Sequence, residues 1–202
     1  MSTDHSEEQF SPQQSFAVIQ TMIETAKNQF RETGHLYLLW GWVVFICSVA
    51  QFILLSVFHY QYHYMVWTLT WLVFIYQVIY IIRRKRKERV RTYTDNIIGF
   101  VWIVFAILML LFGVVFGIQL GENYYKVISP GFLALYGMPT FLSGIILRFK
   151  PLIIGGIGCW LLSILCVYIP YDYQLLLVSV AMLIAWIIPG FKLRAKYKKV
   201  NA

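Results

Sequence analysis

Six long apolar stretches, none holding a single Asp, Glu, Lys, Arg or His, constrain this chain more than any other feature. They cover 36–58, 64–82, 97–118, 129–147, 151–169 and 174–191. A helix rises about 1.5 Å per residue, so roughly 20 apolar residues cross a hydrocarbon core near 30 Å. Hydrocarbon offers no partner to exposed peptide groups, so such a stretch crosses as a helix. The boundary between the fourth and fifth stretches rests on Arg148-Phe149-Lys150-Pro151, where two charges and a proline favour a tight turn over one long helix. These stretches predict an all-α integral membrane protein with six transmembrane helices. Composition agrees: 13% of residues are charged, against about 25% in soluble domains. That charge cannot cover a water-facing surface, which excludes a soluble enzyme and a disordered chain alike.

The placement of Lys and Arg predicts which way the chain faces. Sixteen of the 17 fall on one side of the six stretches, and Lys126 alone falls on the other. Both termini are therefore expected in the cytoplasm, and the net charge of +8 reads as sidedness rather than as a nucleic-acid partner. No cleavable signal is expected, because the first apolar run begins near Leu36 and is longer than a signal core. Cys47, Cys159 and Cys166 fall inside the apolar stretches and read as small packing residues, not disulfides.

The flanking segments divide the chain further. Residues 1–10 read as a disordered tail, 11–34 as an amphipathic interfacial helix, 35–192 as the membrane domain and 193–202 as a basic cytoplasmic tail. In the second segment Ser11 is a candidate N-cap, Pro12 a first helical residue and Gly34 a stop. Between them Phe16, Ile19, Ile23, Ala26 and Phe30 form a stripe suited to headgroups, to the bundle's cytoplasmic end or to a partner helix. Within the membrane domain, Trp42-Val43-Val44-Phe45, Trp102-Ile103-Val104-Phe105 and Cys159-Trp160-Leu161-Leu162 each follow glycine. Their spacing suggests three tandem hairpins in parallel orientation, with chance similarity of short apolar strings as the competing explanation.

Four local patterns bear on function. Arg83, Arg84, Lys85, Arg86, Lys87, Arg89 and Arg91 surround one acid, Glu88, and near an anionic leaflet each base contributes about 1 kcal/mol. Gly113, Gly117 and Gly121 recur every four residues, a spacing that opens a groove for close approach of a second helix, in this chain or in another copy. Gly137, Pro139, Thr140 and Ser143 mark a kink within the fourth stretch, where freed carbonyls and two hydroxyls offer a small ligand site. His59 and His63 form half of a metal site, and Glu122 and Asp172 are the only acids in the other loops on that side to complete it. The plainer reading of that region is a tyrosine-rich interfacial belt.

No Asp, Glu, Lys, Arg or His lies in a span to serve a proton relay or an ion-coupled transporter. Phosphate-loop, nucleophile-elbow and zinc-protease motifs are missing as well. The chain reads as a non-enzyme without cofactor. Its expected role is that of a membrane component acting through helix packing and a basic cytoplasmic face, with anionic lipid, a second copy or another membrane protein as partner. The alternative is a small uncoupled permease or lipophilic-ligand binder using the kinked fourth span. The pattern resembles the many small six-span bacterial membrane proteins of unknown function, with no motif that fixes one family, and compactness and the lack of any Asn-X-Ser/Thr site suggest a bacterial inner membrane.

Overall fold

The computed structural model describes residues 12–85 and 93–200. Among them the chain is helical apart from short turns, and no strand occurs. Its helices are α1 (Pro12–Ser56), α2 (Thr68–Lys85), α3 (Tyr93–Leu120), α4 (Tyr125–Ile146), α5 (Lys150–Cys166), α6 (Tyr171–Met182) and α7 (Ile188–Val200). Short 3₁₀ turns at His63–Trp67 and Gly121–Tyr124 lead into α2 and α4, and a π-helical turn, Leu183–Ile187, joins α6 to α7. Four helical segments are apolar and long enough to cross a membrane: Gly34–Ser56, His63–Arg83, Asn96–Ile146 and Tyr171–Ala195. The third, of 51 residues, contains both α3 and α4. Gly121, at φ +51°, turns the chain between them in a backbone region that glycine enters without steric cost. α5 is apolar but shorter, at 17 residues.

One expected helix end is corrected. α1 runs for 45 residues straight through Gly34, so that glycine does not end a helix. Instead it makes room for α7, since a Cβ there would lie 3.1 Å from Arg194 Cγ and 3.2 Å from the Gly190 carbonyl. At the other end, helix continues to Val200, and Leu193 is fully buried. Residues 1–10 and Ser11 lie outside the described residues.

The contacts give each helix a direction. Along α1, Gly34 meets Gly190, Gly41 meets Trp186 and Ile187, and Ser48 Oγ donates to the Leu175 carbonyl at 2.6 Å. The α6–α7 arm therefore runs antiparallel to α1. α2 does too, pairing Tyr80 with His35, Gln77 with Trp40 and Trp67 with Gln51. α4 runs against α3 through Phe105–Tyr136 and Phe112–Phe132, and against α5 through Gly144–Ile153 and Gly137–Gly156. Together these pairings bring Arg83, Arg148, Lys150, Lys192 and Arg194 to the end of the bundle where Gly34 lies, with Lys126 at the opposite end. All six of these side chains are exposed.

Candidate functional site

An enclosed polar group of the bundle surrounds Trp186. Pro189 is fully buried. It cannot donate to the carbonyl four residues earlier, and its ring crowds that carbonyl, so the helix widens into the π turn that carries Trp186. The Trp186 indole N–H donates to Thr140 Oγ1 at 2.8 Å, and the Thr140 hydroxyl donates onward to the Tyr136 carbonyl at 2.7 Å. Around this chain the Trp186 ring packs edge-on to Tyr136, Trp102 and Tyr37 at 5.1, 5.9 and 6.4 Å. The group thereby ties α1, α3, α4 and the π turn together. The Tyr37 hydroxyl faces Ser143, yet neither hydroxyl makes a hydrogen bond of good geometry.

A second polar node lies at the end away from the basic residues. Gln51, 2% exposed, accepts the Trp67 indole N–H at Oε1, 2.5 Å away. Its Nε2 lies 3.0 Å from His63 Nδ1 and donates to Tyr171 Oη at 3.1 Å. One amide thus joins α1, the 3₁₀ turn before α2 and the start of α6. Cys47 Sγ, one turn away on α1, donates to the Val66 carbonyl at 3.4 Å. Nearby, Gln174 Nε2 donates to the Cys166 and Ile169 carbonyls at 3.1 and 2.9 Å, satisfying the end of α5.

The residues singled out from sequence fall into different settings. Gly137 is closed over by the Trp160 ring and the Gly156 carbonyl, Pro139 and Thr140 are fully buried, and Ser143 is buried. Gly113, Gly117 and Gly121 do not pack against another helix among the described residues. A Cβ at Gly117 or Gly121 would meet nothing within 4 Å, and one at Gly113 only Tyr124 Oη at 3.8 Å. The ring contacts of α3 with α4 run through Phe105 and Phe112 instead. His59 is exposed at φ 48°, whereas His63 is engaged by Gln51. No cluster of three His, Cys, Asp or Glu able to hold a metal occurs among the described residues. Arg83 is exposed at the end of α2, Arg84 and Lys85 complete that helix, and Arg86, Lys87, Arg89 and Arg91 lie outside the described residues. The three tryptophans of the suggested repeat differ in setting. Trp42 is exposed, Trp102 is in the aromatic core, and Trp160 donates to the Ala134 carbonyl at 3.1 Å.

Sequence reasoning missed the glutamines. Gln51 and Gln77 lie inside apolar stretches, and Gln174 opens the sixth. An amide in hydrocarbon must find partners within the protein, so a glutamine in an apolar run is itself the signal of a buried hydrogen-bond node. No family model, curated protein or solved structure matches the chain.

Proposed function

We propose that this chain is a non-catalytic component of a membrane, meeting its surroundings at two surfaces, and that it crosses the bilayer six times with both ends in the cytoplasm. Asn96–Ile146 crosses twice, turning at Gly121, and α5 makes the fifth passage, a short one. The observation that carries this reading is the gathering of Arg83, Arg148, Lys150, Lys192 and Arg194 at one end of an antiparallel bundle. Positive charge concentrates on the cytoplasmic side of such proteins. That end holds anionic headgroups or an acidic partner, with the basic run 83–91 as its strongest part. The enclosed polar groups support the non-catalytic role, since Thr140, Trp186 and Gln51 spend their hydrogen bonds on the chain itself. The second surface is the open glycine face of α3, which suits close approach by a helix of another copy or another membrane protein.

The test replaces the seven bases between Arg83 and Arg91 with Gln, then reconstitutes both proteins with spin-labelled anionic and zwitterionic lipids. The parent protein is expected to enrich the anionic lipid at its boundary and the variant to lose most of that preference. Equal enrichment by both proteins would remove the basic face from the account.

A further inference from the structure

The hydrogen bonds at Gln51 fix more than the position of a loop. An indole N–H can only donate, so the Gln51 atom facing Trp67 at 2.5 Å is the oxygen and the other is the NH₂ group. That NH₂ group lies 3.0 Å from His63 Nδ1, and two donors cannot share a hydrogen bond. His63 Nδ1 is therefore the acceptor, and its ring is the neutral tautomer with the proton on Nε2. Protonating the ring would set Nδ1–H against the amide NH₂. Rotating the amide offers no escape, because it would turn NH₂ toward the Trp67 N–H.

We propose that His63 is an acid-sensitive latch holding the end of α2 away from the basic face against the rest of the bundle. α2 is suited to such control because none of His63–Arg83 is buried. Among the described residues its ties to the bundle are few: Trp40 Nε1 to Gln77 Oε1 at 2.6 Å, the His35–Tyr80 ring contact, and the Gln51 node with Cys47 beside it. Loss of the His63 bond weakens the polar tie at the far end. His63 is half-buried, so protons reach it, and imidazole is the side chain whose ordinary charge change falls between pH 5 and 8. The ionisable groups around the node are Tyr64, edge-on to His63 at 5.9 Å, Tyr171 on the shared amide, and Asp172 beside it in the first turn of α6. From α4, Tyr125 packs on Tyr171 at 5.7 Å and carries Lys126 over its ring. α1 contributes the neutral Gln51 and the thiol of Cys47. The latch is closed when His63 is neutral and opens as pH falls.

The test uses the full chain in lipid nanodiscs, where both faces meet the same buffer, so its outcome does not depend on topology. Spin labels at Leu69→Cys and Tyr168→Cys, both exposed positions, report the distance from α2 to the α5–α6 turn by pulsed dipolar spectroscopy. Between pH 8 and pH 5 the ratio of the short-distance to the long-distance population is expected to fall about tenfold or more, the equivalent of one lost hydrogen bond. His63→Gln is expected to abolish the response, while His59→Gln and His35→Gln keep it. An unchanged distance in the parent protein, or a response that survives His63→Gln, overturns the latch. Nitrogen-15 spectra of labelled histidine check the premise without any variant. A neutral His63 protonated at Nε2 at pH 8 supports it, and a proton on Nδ1 overturns it.

Discussion

Gly155 and Gly117 both lie inside helices, yet alanine is predicted to act in opposite directions at the two sites. At Gly155 a Cβ would lie 2.7 Å from Ala185 Cα and 3.1 Å from the Ile184 carbonyl oxygen. Carbon atoms pack best at about 3.5–4.0 Å, so the shortfall is roughly 1 Å. Both obstacles are backbone atoms, and no side chain can rotate to make room. α5 must then shift away from the π turn, and overpacking of this kind costs about 1–3 kcal/mol. At Gly117 nothing lies within 4 Å of the new methyl. Alanine is the better helix former by about 0.8–1.0 kcal/mol, a gain common to both sites that cancels in the comparison. Gly155→Ala should therefore be less stable than Gly117→Ala by about 1–3 kcal/mol. Reversible unfolding in mixed micelles, dilute enough to keep the chain monomeric, measures the difference directly. Equal stability of the two variants would show that α5 does not approach the π turn this closely, and the packing argument would fail.

Further variants examine the remaining contacts. Thr140→Val leaves the buried Trp186 indole N–H without an acceptor and should destabilise the bundle by about 1–3 kcal/mol. The double change Thr140→Val with Trp186→Phe should cost less than the sum of the singles, read from a thermodynamic cycle. Tyr37→Phe removes a buried hydroxyl that lacks a good hydrogen bond and should leave stability equal or raise it by about 1 kcal/mol, measured by the same unfolding assay. Arg148, at φ 49° between α4 and α5, occupies a left-handed position that costs a non-glycine residue about 1–2 kcal/mol. Arg148→Gly should therefore raise the unfolding midpoint. Gly113→Leu combined with Gly117→Leu should leave monomer stability intact and reduce cross-linking between copies in liposomes, and undiminished cross-linking would remove the glycine face of α3 as a contact.

The all-helical, apolar character of the chain was legible because hydrocarbon thickness sets a length that apolar runs must meet. The helices' partners were less so, because the same residue serves unlike ends. Gly34 follows an amphipathic stripe and reads as a stop, yet in the fold it admits Gly190 and the helix continues. Gly113, Gly117 and Gly121 have the spacing of a packing groove, but a Cβ at Gly117 or Gly121 would face open space among the described residues and one at Gly113 would reach only Tyr124. The close approaches use Gly34 with Gly41 and Gly137 with Gly144, two turns apart in each case. Only the partner helix distinguishes these uses, and it lies far off in sequence. Trp186 was concealed for the same reason. An indole within an apolar run resembles any other until Thr140, 46 residues earlier, is brought to its N–H. Gln51 was missed although its signal was there to read, since an amide in an apolar run needs partners even when it does not name them.

Sidedness is the claim on which the proposed function depends. Lys126→Cys and Lys150→Cys place single reactive thiols at opposite ends of the bundle, while Cys47, Cys159 and Cys166 are buried and stay silent. With intact cells and a membrane-impermeant maleimide, the account predicts labelling at position 126, and at position 150 only after the membrane is opened. Labelling of position 150 from outside, or of both positions alike, would contradict it.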